Sequence, residues 1–214
     1  MYIRQNGTQE FIGDLREVSQ SMVSRLVTIL VPIIKAALAE FVATAKDALA
    51  MMKGRVCLGD GTITPCWSYA DHAELWSRKK GMTGFNAQLV SLLDGTPVYF
   101  SDPLPGSTHD KTAFDETPVA EIVRNSGGGI GDKGYQGTGL ATPRKKPKGG
   151  ELSKRDKESN AAISGLRALV ERAFAHFEAW RILHTDYRRP YSTYRDAFDT
   201  ARGLFFFSTT WGFE

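Results

Sequence analysis

The chain changes character at Val56-Cys57-Leu58-Gly59-Asp60-Gly61-Thr62, where a short apolar run meets an acid held between two glycines. Upstream the pattern is helical. Thr8 is placed to cap a helix over Gln9–Arg16, and Ser19 to cap a second carrying Met22, Val23, Leu26, Val27 and Leu30 on one face. A third helix is expected after Pro32, with Ile33, Ala36, Ala37, Phe41 and Ala45 at helical spacing. Downstream, apolar runs at 85–93 and 96–100 flank Asp94-Gly95, a hairpin signal. A helix over 111–124, a strand ending in Ile130-Gly131-Asp132-Lys133-Gly134-Tyr135 and a short strand over 139–142 follow. Long helices over 158–183 and 193–207 close the chain. Helices first, then mixed strands and helices, predict a small helical domain over 1–52 and an α/β domain over 53–214.

Composition bounds what such a chain can be. With 42% apolar and 24% charged residues among 214, it falls among globular proteins and outside the disordered and fibrous classes. The longest apolar stretch, 26–34, is too short to cross a bilayer, and no secretory leader pattern opens the chain. Cys57 and Cys66 are too few for a disulfide framework or a four-ligand zinc site. A reduced, cytoplasmic protein with no membrane partner is expected. The net charge of +3 is unevenly spread: residues 143–157 alone carry +5, and the rest of the chain sums to slightly negative. A confined basic cluster points to a defined polyanion contact.

Asp60 and Asp132 share one setting, an acid flanked by glycine at the end of a short apolar strand. Glycine allows another group to approach closely, which suits a metal or a phosphate. A turn in which each Asp caps a neighbouring amide explains the same pattern. On the long helix, Leu166, Leu169, Val170, Ala173, Phe177 and Trp180 form an apolar face. Beside it runs a stripe of Asn160, Ser164, Arg167, Glu171 and Glu178. Glu171 is expected to border the core, with Arg167 one turn earlier to hold its carboxylate; a plain surface pair is the alternative. Three acids so disposed suit two Mg²⁺ ions, which take carboxylate oxygens and keep several waters. Mn²⁺ shares that preference.

Four segments occur in a telling order: Gly59-Asp60-Gly61-Thr62, then Pro105-Gly106-Ser107-Thr108-His109-Asp110, then Gly131-Asp132-Lys133-Gly134-Tyr135. The fourth is Asn160-(x3)-Ser164-(x2)-Arg167-(x2)-Val170-Glu171-Arg172. In this the chain resembles the DDE transposases of bacterial insertion sequences related to eukaryotic Harbinger elements, over residues 8 to about 207. The resemblance implies an RNase H-like catalytic fold, Mg²⁺ dependence, and cutting and joining of DNA at element ends. It also implies that Asp60, Asp132 and Glu171 are the three catalytic acids, and the 39-residue gap from Asp132 to Glu171 suits the family. Asp110 falls in the family's Gly-Ser-x-His-Asp motif and is an auxiliary candidate, as N-cap or as support for the ligands. His109 is read as a hydrogen-bonding partner, because no second His stands at ligand spacing.

The N-terminal helices resemble the family's helix-turn-helix, which would give Gln20, Ser21, Ser24 and Arg25 to the DNA groove. Glu17 departs from the pattern, because the turn usually carries glycine for its left-handed backbone. The helix expected before the motif is short or missing. An ordinary helical hairpin is the alternative. Within the basic segment, Arg144, Lys145, Lys146 and Lys148 are expected to contact DNA phosphates; a solvated loop or a localisation signal fits the same composition. Arg188 and Arg189 would extend that surface, and Trp67, Tyr69 and Trp76 either stack on a splayed base or pack in the core.

The expected partners are double-stranded DNA, at element ends and target, and a second copy in a homodimer or larger assembly. The expected function is Mg²⁺-dependent DNA transposition in the bacterial nucleoid. Two alternatives share the sequence: a DNA-binding protein with an inactive α/β domain, and a nuclease that cuts without strand transfer. Terminal inverted repeats in the flanking DNA would separate a mobile element from either.

Overall fold

A computed structural model describes residues 1–211, apart from the side chains of Val170, Arg172 and Trp211. The readings made above for Val170 and Arg172 therefore lie outside the described residues. The chain runs α1 (Tyr2–Gln5), α2 (Gln9–Arg16), α3 (Gln20–Leu38), α4 (Ala45–Met52), β1 (Cys57–Pro65), β2 (Trp76–Ser77) and β3 (Met82–Leu92). It continues through β4 (Pro97–Phe100), β5 (Leu104–Pro105), α5 (Asp110–Glu116), α6 (Val119–Arg124), β6 (Gly129–Ile130), α7 (Lys154–Glu178) and α8 (Tyr194–Trp211). This is a mixed α/β chain. It forms two compact units that interleave in sequence: Met1–Val42, Thr64–Phe85 and the chain from Ala175 on make one, Ala43–Ile63 and Asn86–Phe174 the other. The helix α4, read above with the N-terminal helices, belongs to the second unit.

In the first unit the expected caps are formed. The Thr8 hydroxyl accepts from the Phe11 amide at 3.1 Å and the Ser19 hydroxyl from the Met22 amide at 3.3 Å. Glu17, between α2 and α3, holds the left-handed angles φ 55°, ψ 37° that the turn requires, so the acid tolerates the position usually given to glycine. A Cβ on Gly13 would stand 2.7 Å from the Val18 carbonyl oxygen, which accounts for glycine there. The break expected at Pro32 does not occur. α3 passes through it, because a proline removes one helical hydrogen bond without forbidding the rest, and the packed face outweighs that loss. That face is Val23, Val27 and Val31, clustered with Tyr2, Ile3 and Ile12. Lys35 binds Asp196 at 2.8 Å and Asp199 at 3.1 Å, and the Thr200 hydroxyl donates to the Val31 carbonyl at 3.0 Å, fastening α3 to α8. Met22, Leu26, Ile29, Leu30 and Ile33 on the same helix are exposed, with Phe11 and Leu15 from α2. By length and composition alone the stretch Gln20–Met52 would suffice to cross a membrane, although the unbroken apolar run 26–34 within it is too short to do so; as folded the stretch is interrupted between Leu38 and Ala45.

In the second unit β3 is flanked by β1 and β4, and β6 lies on the far side of β1. β1 and β6 run parallel with Leu58 opposite Ile130, whereas β3 and β4 are antiparallel across the Asp94-Gly95 turn. Gly95 takes φ 89°, and the Asp94 carboxylate accepts from the Thr96 amide at 2.8 Å, as the hairpin signal required. The strand expected over 139–142 reduces to one bridge between Ile130 and Ala141. The helix expected over 111–124 divides at Thr117-Pro118 into α5 and α6, because proline cannot donate to the preceding turn. Met52, Cys57, Val90, Val98, Phe114, Ile122 and Tyr135 form the core. Both cysteines are buried and free, and burial pushes the Cys66 thiol up to about 12.

Candidate active site

Strand register creates the site. Asp60 lies two residues beyond Leu58 and Asp132 two beyond Ile130, so the parallel pairing of Leu58 with Ile130 carries both acids to one place, near enough for the Asp132 charge to act on Asp60. β1 runs on to Pro65, so Asp60 lies within the strand, not at its end as the short apolar run suggested. A polar run continues a strand wherever neighbouring strands satisfy its backbone. Asp132 caps the 3₁₀ turn Lys133–Tyr135, its Oδ1 accepting from the Gly134 amide at 2.6 Å. Asp60 Oδ1 likewise accepts from the Gly61 amide at 2.9 Å. The capping explanation of the Gly-flanked acids therefore holds at both positions, alongside their adjacency.

Glycine here serves close approach. A Cβ on Gly61 would stand 2.6 Å from Gln88 Nε2, 3.0 Å from Tyr135 Oη and 3.3 Å from Asp110 Oδ1. One on Gly134 would stand 2.8 Å from both Asp110 Oδ2 and Asp132 Oδ1. Asp110, first residue of α5, thus borders the glycines that follow both acids, Gly61 and Gly134. Behind them runs a buried polar chain: the Tyr135 hydroxyl donates to Gln88 Oε1, Gln88 Nε2 to Asn86 Oδ1 at 2.6 Å, and Asn86 Nδ2 to the Thr108 carbonyl at 3.0 Å and Asp110 Oδ1 at 3.4 Å. Sequence reading missed Asn86 and Gln88. Their signal was present as polar residues at alternate positions of an otherwise apolar strand, facing one side.

Arg167 on α7 reaches this group, its Nη2 donating to Asp60 Oδ2 at 2.8 Å. Burial raises the Asp60 carboxyl above its ordinary value against the opposing pull of Arg167, and the neighbouring Asp132 charge adds to the rise. Burial works against the Arg167 charge, yet Asp60, Asp132 and Glu171 together hold it above its ordinary value. The Arg167 Nε is buried and without a hydrogen-bond partner. Burial, followed by Asp60, Asp110 and Asp132, pushes the Tyr135 phenol well up, so it stays a donor.

Glu171 is exposed, not bordering the core as expected. The apolar face of α7 is buried only from Ala173 onward, and Leu166 is 37% exposed. Periodicity identifies an apolar face but not whether anything covers it. Glu171 is linked to the acids through the Arg167 charge. Among the described residues, no three of His, Cys, Asp and Glu stand close enough together to hold one ion. Asp60 and Asp132 supply carboxylate oxygens under the influence of one guanidinium, that of Arg167. That donor set fits a hard divalent cation, with water completing its shell.

The basic segment is tied to α7 by Asn160, which accepts from the Arg144 amide at 2.8 Å and donates to the Arg144 carbonyl at 3.1 Å. Arg144 pairs with Asp156 at 3.1 Å and Lys146 with Glu151 at 2.9 Å. Lys145 and Lys148 are exposed, with no carboxylate partner among the described residues. In the first unit Gln20 donates to Gln9 at 2.9 Å, Ser21 shares a hydrogen bond with Ser19 at 3.0 Å, Ser24 is half-buried and Arg25 is exposed.

With the paired acids in place, the family profile of the DDE superfamily endonucleases matches residues 60–204, beginning at Asp60 itself. The chain belongs to that family. A protein of Streptomyces albus G named as a transposase for insertion sequence element IS112 is 32% identical over 184 residues, 85% of this chain and 67% of that protein. One of Microchaete diplosiphon, named as a transposase for insertion sequence element IS702, is 32% identical over 122 residues, 54% of this chain and 43% of that protein. The chain thus spans about two thirds of the first relative and under half of the second. No solved structure matches. The profile leaves the N-terminal helices outside its match, whereas all the acids of the site lie within it.

Proposed function

We propose that the chain is a DNA transposase of the DDE type, cutting and joining phosphodiesters at element ends with Asp60, Asp132 and Glu171 as its catalytic acids on an RNase H-like domain. The observation that carries the reading is the adjacency of Asp60 and Asp132, from strand register, in a family of endonucleases with transposase relatives. Asp60 and Asp132 would hold Mg²⁺ or Mn²⁺, with Asp110 and Asn86 fixing their surroundings and Glu171 contributing from α7. What bound Mg²⁺ supplies is help to the attacking and leaving oxygens of the phosphodiester. Arg167 orients the Asp60 carboxylate, and Tyr135 with Gln88 holds the floor beneath it.

DNA is engaged, on this reading, by Gln20, Ser21, Ser24 and Arg25 of the helical region 1–52, acting as a helix-turn-helix, and by Arg144, Lys145, Lys146 and Lys148. The left-handed Glu17 turn supports the first contact and the exposed Lys145 and Lys148, without a carboxylate partner among the described residues, the second. The working assembly is a homodimer or larger on paired ends, and the exposed Met22, Leu26, Ile29, Leu30 and Ile33 offer it an apolar surface.

The test is cleavage of DNA bearing the element's terminal repeats, with Mg²⁺ present. Asp60→Asn and Asp132→Asn keep shape but lose the charge that balances a cation, so cleavage should fall at least about a thousandfold while DNA binding persists. Robust cleavage by either variant would overturn the assignment. Cleaved ends that never join to target DNA would leave a hydrolytic nuclease.

A further inference from the structure

The first unit contains a groove of about 790 Å³ that the acid site does not use. Its walls bring Gln9, Gln20 and Ser24 from α2 and α3 together with Trp67, Arg188 and Arg189. That volume lies in the range of small-ligand pockets. Trp67 is 54% exposed, an unusual state for a large aromatic side chain whose backbone is held firmly. Its amide donates to the Tyr187 carbonyl at 3.1 Å, and the Tyr69 hydroxyl donates to the Arg189 carbonyl at 2.7 Å. Asn6, also in the lining, is buried with a left-handed φ of 49°. Its Nδ2 donates to Thr185 Oγ1 at 2.8 Å and to the Asp186 carbonyl at 3.1 Å, while Arg188 donates to the Asn6 carbonyl. The frame is therefore built, and it brings an exposed indole and two guanidinium groups into one lining.

Charge decides what the groove takes. Neither Arg188 nor Arg189 has a carboxylate partner among the described residues; Arg189 bonds the neutral Thr28 hydroxyl at 3.1 Å and the neutral Tyr2 phenol, over whose ring it lies. Glu10 is the one acid in the lining. The remaining lining side chains are mostly amides and hydroxyls, which suit neither an apolar peptide nor a lipid. A flat aromatic face next to cations and amides is the chemistry that binds an unpaired nucleotide: the base stacks, the phosphate meets a guanidinium, and the amides face base edges. A base within a duplex cannot offer its face to an indole.

We propose that this groove is a binding site for single-stranded DNA, with an unpaired base stacked on Trp67 and its phosphate on Arg189. The proposal rests on the transposase reading in taking DNA as the polyanion, and it adds a site for a strand that has left the duplex.

The test uses the full chain without divalent metal, and the anisotropy of a fluorescent ten-nucleotide oligo(dT) and of a hairpin duplex of equal length. Trp67→Ala should weaken oligo(dT) binding about tenfold, within the range measured for loss of one stacked base, and leave duplex affinity within about twofold. Trp67→Phe, which keeps an aromatic face, should restore most of the loss and guards against a folding defect. Arg189→Gln should flatten the dependence of log affinity on log salt by about 0.7 for the single strand. Oligo(dT) binding that is absent, or that falls equally with duplex binding in Trp67→Ala, would overturn the site. So would displacement by polyglutamate of equal charge at the same concentration, which would mark an unselective anion surface. The two readings fail separately: the binding assay needs no cleavage, and Asp60→Asn should bind oligo(dT) as the parent does. Cleavage of element ends by a protein whose Trp67→Ala variant binds oligo(dT) normally would sink the groove alone. Strand binding without any cleavage would sink the transposase reading alone.

Discussion

Arg167 Nη2 stands 2.8 Å from Asp60 Oδ2, joining residues 107 positions apart and turning one face of α7 toward the strands that carry the acids. The pair is mostly buried, with 22% and 15% of the two side chains exposed. It couples the third of the proposed acids to the first, since the Glu171 charge acts on the same guanidinium.

Removing that guanidinium should cost stability in a pH-dependent way. The Asp60 carboxyl already lies above its ordinary value, so its ionisation works against the fold as pH rises. Arg167→Gln removes the main opposing influence and should raise the Asp60 titration further. The variant should lose about 2 kcal/mol at neutral pH, the usual scale for a charge-assisted hydrogen bond. The loss should shrink as pH falls through the raised Asp60 titrations and be gone by about 4, the ordinary carboxylate range, where folded Asp60 carries its proton in both proteins. Thermal melts across pH check this; a loss that does not vary with pH would place the cost in packing instead.

The roles of Glu171 and Asp110 separate by substitution. Glu171→Gln should abolish cleavage as completely as Asp60→Asn, because the proposed chemistry needs its charge, and should leave thermal stability unchanged at so exposed a position. Asp110→Asn should lower activity by about tenfold to a hundredfold, the scale seen when a group supporting a metal ligand is changed. Parallel cleavage and melting measurements decide it. The reverse order of damage would make Asp110 the third acid.

Lys145 and Lys148 should account for most of the salt dependence of duplex binding contributed by the basic segment, because Arg144 and Lys146 already have acidic partners. Each phosphate contact contributes about −0.9 to the slope of log affinity against log salt, so the double change to Gln should flatten it by about 1.8. Preference for element ends over random DNA should stay the same, since phosphate contacts position without specifying. An unchanged slope would leave a solvated loop.

Arg25→Ala should weaken binding to element ends by about 1–3 kcal/mol, the worth of one good base contact, with a smaller loss on random duplex. Competition titrations with the two DNAs measure the difference. Equal loss on both would make Arg25 a backbone contact, and no loss would leave α2 and α3 as a plain helical hairpin.

Local signals in the sequence determined the parts that depend on neighbours in the chain. Thr8 and Ser19 had to cap helices because their hydroxyls meet amides three residues on, and Asp94-Gly95 had to turn because of its own backbone and carboxylate. The motif order likewise marked Asp60 and Asp132 as acids in matching glycine-flanked settings. Tertiary structure decided what depends on partners far along the chain. Only the register of β1 against β6 sets Asp60 beside Asp132, and only the seating of α7 turns Arg167 inward while Glu171 faces solvent. The proline drew a helix boundary at Pro32 and periodicity a buried face through Leu166, and both failed for one reason. A helical pattern records which residues could be covered, whereas the covering is supplied by other elements: α8 against α3, and little against the first turns of α7.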